Sequence, residues 1–227
     1  MTQIFSPDSM PMDGSWLHVA ELTHRISNEF ASAIALTRVT AAQSANIETR
    51  AALSKVGDYL DALGGTYQAL RPPATEQAID LTAHLTRLCT AMASAMQRTR
   101  GIGLTLSIPE PVYVNGFVCW RAGLILAELI TNASRHAFGP AGGNIIVYAT
   151  VESGTIICEV SDDGSGSGRR ATPGLGSLIV DSLAAEFGGS IERRQGDEGT
   201  SVTLSFPSGL TQSPNRFGVE LRSRVAS

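Results

Sequence analysis

Glu128 and Asn132 stand four residues apart within residues 124–138, LILAELITNASRHAF. Apolar Leu124, Ile125, Leu129 and Ile130 recur at the spacing of a half-buried helix, which sets Glu128 and Asn132 one turn apart on a neighbouring face. A carboxylate and an amide so placed can handle a proton and enter the oxygen shell of a hard cation. The plain alternative is the solvated side of a helix. Further along, the apolar run 155–160 leads directly into Ser161-Asp162-Asp163-Gly164-Ser165-Gly166. A strand ending in DxGxG presents one fixed carboxylate, Asp162, beside backbone that a ligand can approach closely because Gly164 and Gly166 carry no side chain. Such a carboxylate can accept a hydrogen bond from an exocyclic amine such as that of adenine, although an ordinary Asp/Gly turn reads the same way in isolation. Eight residues on, Gly174-Leu175-Gly176 opens a helix, where free backbone N–H groups and the helix dipole favour phosphate oxygens. Gly199-Thr200 begins the last strand.

These residues need elements to hold them. Ser15 can cap a helix whose positions Trp16, Val19, Thr23, Ile26, Phe30 and Ala33 follow a three-four spacing. After a break at residues 44–46 the pattern returns at Leu53, Val56, Leu60, Leu63, Tyr67 and Leu70, and Pro72-Pro73 stops it. Two such helices make an antiparallel hairpin with too little core to stand alone, so the expected form is a homodimer through a four-helix bundle. Beyond the prolines a third helix is expected over residues 76–98, then a strand over 104–108 and a long helix over 116–138. A hairpin follows over 144–151 and 155–161, then a helix over 176–187 and a final hairpin over 190–194 and 200–206. Helices mixed with strand hairpins imply an α+β fold whose second part is a two-layer sandwich with a mostly antiparallel sheet. The expected domains are a leader at 1–14, the dimerising hairpin at 15–73, the sandwich at 74–207 and a sparsely anchored tail at 208–227.

In order, the four pieces around Glu128–Asn132, Asp162-x-Gly164-x-Gly166, Gly174-x-Gly176 and Gly199-Thr200 resemble the N, G1 and G2 boxes of the GHKL (Bergerat-type) ATPase superfamily. The resemblance implies an α/β sandwich that binds ATP with Mg2+. Asn132 would be the magnesium ligand, and Glu128 would orient or deprotonate a water or the acceptor. Asp162 would bind the adenine amine with Thr200 supporting it through water. Gly174 and Gly176 would line the phosphates, with His136 near them at the end of the helix.

The superfamily also contains chaperones, topoisomerases and mismatch-repair ATPases, so the nucleotide boxes leave the function open. The first helix narrows it. Glu21-Leu22-Thr23-His24-Arg25-Ile26-Ser27-Asn28 is similar to the H-box of histidine kinases related to the HWE group, with pattern ELxHRxKN. The resemblance implies that His24, one residue off the bundle seam and facing outward, is the phosphoacceptor, with Asn28 as its support. It also implies transfer onward to an aspartate on the receiver domain of a response regulator. Ser27 replaces the pattern's lysine, and Cys158-Glu159-Val160 stand where the strict HWE group has its tryptophan-x-glutamate. A dimeric relay protein that takes phosphate from another regulator, or a phosphatase of such a regulator, is the competing reading. No sensor is expected ahead of the H-box, so an input is expected from a separate protein, from the leader, or not at all.

Composition excludes several other classes. With 17 basic against 21 acidic residues and no long run of either sign, the chain is no nucleic-acid binder. Cys89, Cys119 and Cys158 are scattered without metal-ligand spacing and read as buried free thiols in a reducing compartment, with cytoplasm the expected location. Glu128 interrupts the longest apolar run, so no membrane span is expected, and the first fifteen residues lack the pattern of a signal peptide.

Overall fold

The computed structural model describes residues 15–73, 77–165, 175–196 and 199–210. Helices α1 (Ser15–Gln43) and α2 (Ile47–Ala69) form the expected antiparallel hairpin. Asn46 caps α2 through a side-chain oxygen that accepts from the Thr49 N–H at 3.0 Å. Two glycines let the helices meet: a Cβ at Gly57 would touch Thr37, and one at Gly64 would touch Phe30 and Ile34. Phe30 and Tyr67 stack with ring centroids 5.2 Å apart, and Arg38 pairs with Asp61 across the same seam. The contact between the helices thus runs along Phe30, Ile34 and Thr37, while several residues of the expected seam remain open in one chain. Ile26 is 39% exposed, Val56 48% and Tyr67 39%.

The rest of the chain runs β1 (Ala78–Asp80), α3 (Leu81–Arg100), β2 (Ile102–Ser107), β3 (Tyr113–Asn115), α4 (Gly116–His136), β4 (Gly143–Glu152) and β5 (Thr155–Asp162). Then come α5 (Leu175–Glu186), β6 (Ser190–Gly196), β7 (Gly199–Pro207) and a 3-10 turn, Ser208–Leu210. The main sheet has the order β2-β4-β5-β7-β6, parallel at β2–β4 and antiparallel elsewhere. Alternation decides its faces. Ile145, Val147 and Ala149 of β4, Ile156, Cys158 and Val160 of β5, and Leu204 and Phe206 of β7 are buried among side chains of α3, α4 and α5. Ile146 and Tyr148, one residue out of phase, face away and stay partly exposed. This is the two-layer sandwich that the mixed pattern predicts.

One element differs from expectation. The helix predicted over 76–98 begins only at Leu81, because the Asp80 side chain accepts the Ala83 N–H at 3.0 Å and caps it there. Residues Ala78–Asp80 instead pair with Tyr113–Asn115 as a second, two-stranded sheet. Strands of three residues are too short to show a periodicity. The helix closes at Gly101, whose φ of 64° is the left-handed cap that glycine supplies at little cost.

Candidate functional site

The site is built on the second half of α4. Asn115 starts the helix by accepting the Phe117 N–H at 2.9 Å, and its inner stripe, including Ile125, Leu126 and Ile130, is fully buried against the sheet. That burial fixes the rotation of α4 and leaves Glu128 and Asn132 half-buried on the flank. The Asn132 amide donates from Nδ2 to Glu128 Oε1 at 3.1 Å. Asn132 Oδ1 accepts nothing among the described residues.

The glycine pieces converge on this helix. Gly176, in the first turn of α5, lies against Glu128, and a Cβ there would overlap the carboxylate oxygen. Gly164 lies against the end of α4, and its Cβ would overlap the carbonyl of Ala137. Gly199 takes a φ of 133°, and a side chain on it would meet the Asp162 carbonyl. The three contacts bring the ends of α4, β5 and β7 and the start of α5 to one place. At Gly164 and Gly199 the neighbour is backbone, and so close an approach requires glycine.

Asp162 stands at the end of β5. Its Oδ1 accepts two backbone N–H groups, from Gly164 at 3.2 Å and from Thr200 at 3.3 Å. Its Oδ2 accepts no hydrogen bond among the described residues. Burial raises the Asp162 pKa, the two N–H groups oppose that rise, and the charge of Asp163 adds to it. Asp163 is held low instead, because Oδ1 takes the Asn144 backbone N–H at 2.7 Å and Oδ2 takes the Asn144 amide at 2.8 Å. This clamp ties the start of β4 to the turn that carries Asp162, and sequence reasoning missed it. The repeated acid in Ser-Asp-Asp-Gly was the available signal.

The expected site residues therefore divide. Glu128, Asn132, Asp162, Gly164, Gly176 and Thr200 come together, with Thr200 meeting Asp162 directly through its backbone N–H. His136 sits exposed in the last turn of α4. Gly166 and Gly174 lie outside the described residues. His24 and Asn28 are elsewhere, exposed on α1, where the Asn28 amide nitrogen and His24 Nδ1 are 3.3 Å apart. No group of three or more His, Cys, Asp or Glu side chains gathers for a metal among the described residues. The three thiols are buried, and burial pushes each up to about 12, so they are inert packing groups. His84 is likewise buried.

Comparison with known proteins agrees with both halves. Residues 21–96 match the histidine kinase family, and residues 121–210 match the histidine kinase-, DNA gyrase B- and HSP90-like ATPase family. A blue-light-activated histidine kinase 2 of Erythrobacter litoralis is 29% identical over 205 residues, covering 83% of this chain and 56% of the relative. The sensor histidine kinase PdtaS of Mycobacterium tuberculosis is 28% identical over 203 residues, 84% of this chain and 39% of the relative. The chain thus spans about half the length of these relatives, or less. The solved histidine kinase domain of the Erythrobacter blue-light-activated kinase superposes with a TM-score of 0.56 over 87% of this chain and 95% of that one, at 24% identity, and so shares the fold.

Proposed function

From the match of residues 21–96 to the histidine kinase family and of residues 121–210 to an ATPase family that histidine kinases share, we propose that the chain is an ATP-dependent kinase core that phosphorylates His24 and hands the phosphoryl group to an aspartate of a response regulator. The observation that carries this reading is an exposed imidazole with an amide beside it on the hairpin helix, in a chain whose second unit gathers Glu128, Asn132 and Asp162. The free Asp162 Oδ2 suits the exocyclic amine of adenine. Asn132 Oδ1, left open while Nδ2 is held by Glu128, suits a hard cation such as Mg2+, with water and phosphate oxygens completing its shell. Mg2+ bound there supplies charge neutralisation to the phosphates.

His24 attacks with the lone pair of one ring nitrogen. The N–P bond forms as the bond from the γ-phosphorus to the ADP oxygen breaks, and the other ring nitrogen then gives up its proton. A neutral imidazole is nucleophilic near neutral pH, so the exposed ring needs no special activation. Turned so that its amide oxygen accepts the Nδ1 proton, Asn28 fixes the ring and leaves the Nε2 lone pair for the attack. Glu128 takes the base or water-orienting role, and Gly176 lets the start of α5 close over it. His136, Gly164, Gly166, Gly174 and Thr200 complete the nucleotide contacts.

The hairpin supports a homodimer. At about 100° per residue, Leu22, Ile26, Ala33 and Leu36 fall within an arc of about 80° on α1, as do Val56, Tyr59, Leu63 and Tyr67 on α2. Both arcs adjoin the α1–α2 contact, and most of their large side chains are exposed in one chain. His24 points to the opposite side of α1 from the first arc. A receiver domain is the proposed acceptor partner and a separate sensor the proposed input. No helix among the described residues is long and apolar enough to cross a membrane, which accords with a cytoplasmic location. The relay alternative draws no support from a matched ATPase unit with these side chains in place.

Incubation with γ-labelled ATP and Mg2+ is expected to label the wild type with an acid-labile phosphate and to leave His24→Ala unlabelled. Label of equal intensity in that variant removes His24 as the acceptor. Loss of ATP binding in Asn132→Ala, measured by calorimetry, separates a kinase from a relay protein.

A further inference from the structure

Asn144, at the start of β4, meets Asp163 through three hydrogen bonds. Its N–H reaches Asp163 Oδ1 at 2.7 Å, its side-chain amide reaches Oδ2 at 2.8 Å, and the Asp163 N–H donates back to the Asn144 carbonyl at 3.2 Å. Two glycines leave room for this pair. A Cβ on Gly103 of β2 would lie 2.7 Å from Asn144 Oδ1, and one on Gly143 would meet both Asp163 Oδ1 and the ring of Phe138. On the far side of the turn, Gly164 lies against the Ala137 carbonyl at the end of α4. The turn that follows β5 is thus gripped between α4 and the start of β4.

This grip bears on Asp162 in two ways. Asp162 is paired with Ile145 on β4 and with Thr200 on β7, yet the Gly164 and Thr200 N–H groups hold only its Oδ1. Any shift of the turn therefore carries Oδ2 with it. Asp163 is also a second carboxylate on the very next residue, and with both oxygens drawn to Asn144 its charge is turned toward β4. Left unclamped, that charge is free to swing beside Asp162 and repel it.

Purines differ at the edge that Oδ2 would meet. Adenine offers an exocyclic N–H at position 6 and a bare N1, whereas a 6-oxo purine offers an oxygen at position 6 and carries its proton on N1. A carboxylate oxygen fixed opposite position 6 accepts from the amine and repels the oxygen. One free to move by about an atomic spacing can accept the N1 proton instead, and the discrimination is lost.

We propose that Asn144 is a positioning residue for base selection: by clamping Asp163 it fixes the turn so that Asp162 Oδ2 faces position 6 of the purine, which favours an exocyclic amine and excludes a 6-oxo group. The proposal rests on the assignment of Asp162 to adenine. Asn144 and Asp163 are both exposed, so the clamp competes with water, and its loss weakens selection by about fivefold without abolishing binding.

Calorimetry of the full chain with Mg2+ and either ATP or inosine triphosphate, its 6-oxo counterpart, tests it. The wild type is expected to bind ATP about tenfold more tightly, or better. In Asn144→Ala, ATP affinity is expected to fall about fivefold while inosine triphosphate binds as before or more tightly. Asn144→Asp sets two carboxylates against each other and is expected to lose more of the preference. Adding Asp163→Asn to it places the amide on the turn and the carboxylate on β4, so the side-chain bond forms in the reverse direction and the wild-type ratio should return. An Asn144→Ala protein that keeps the wild-type ratio overturns the proposal, as does one that loses affinity for both nucleotides alike, or an exchanged pair that fails to recover the ratio. A wild type that binds both nucleotides equally overturns the assignment of Asp162, and one that binds neither overturns the nucleotide site itself, the proposal falling with each.

Discussion

His84 offers the sharpest physical test of the core. Only 7% exposed, it packs under α4 where Gly123 leaves room for the ring, and its Nε2 has no hydrogen-bond partner among the described residues. Burial, helped by the charge of Arg87, lowers its pKa from 6.5 to about 4. The folded imidazole thus resists a proton that the unfolded chain accepts. Its penalty is absent above the unfolded value and grows as pH falls from 6.5 toward 4. Linkage then predicts that this one group costs about 2 kcal/mol between pH 7 and pH 5. Replacing it by Leu removes the titration while filling similar space. Urea unfolding of wild type and His84→Leu, at one protein concentration so that self-association does not intervene, should show the wild type losing about 2 kcal/mol more than the variant over that interval. Parallel losses in the two proteins would refute the assignment of a neutral, unpartnered imidazole at this position.

If Asp162 meets the adenine amine as proposed, Asp162→Asn replaces the acceptor oxygen with a second donor, and ATP affinity measured by calorimetry should fall about ten- to a hundredfold. In the wild type, affinity should also fall as the pH is lowered, with its midpoint displaced above the ordinary carboxylate value of 3.8 because the Asp162 pKa is raised. Light scattering of the full chain should return a dimer at micromolar concentration, and Leu36→Glu, which sets a charge at a position 68% exposed in one chain, should shift it toward monomer; a wild-type monomer at that concentration counts against the four-helix bundle.

Much of the fold was readable because period and punctuation agreed. The alternation in residues 144–161 predicts which side chains of β4 and β5 enter the core, and the turn at Ser153-Gly154 predicts their pairing. Pro72-Pro73 ends α2 because proline supplies no N–H for a further turn. What escaped was short or depended on a partner distant in sequence. The pairing of Ala78–Asp80 with Tyr113–Asn115 has no local signature. The Asn144 clamp on Asp163 joins residues 19 apart, and the donor from Trp120 to Leu70 spans 50.

Local chemistry alone therefore determined which groups can take part: an imidazole on a helix flank, a Glu–Asn pair one turn apart, and a carboxylate before bare backbone. Residue type and spacing suffice for that, since helix and strand periods place neighbours without reference to the rest of the chain. Only the tertiary structure decided how they are set. It spends one oxygen of Asp162 on the Gly164 and Thr200 N–H groups and leaves the other open, and it presses Gly176 against Glu128. It also seats the ATP-binding unit on α2 while His24 lies exposed on α1. These depend on which surfaces meet when the core closes, and that is a property of packing between distant segments that no local pattern encodes.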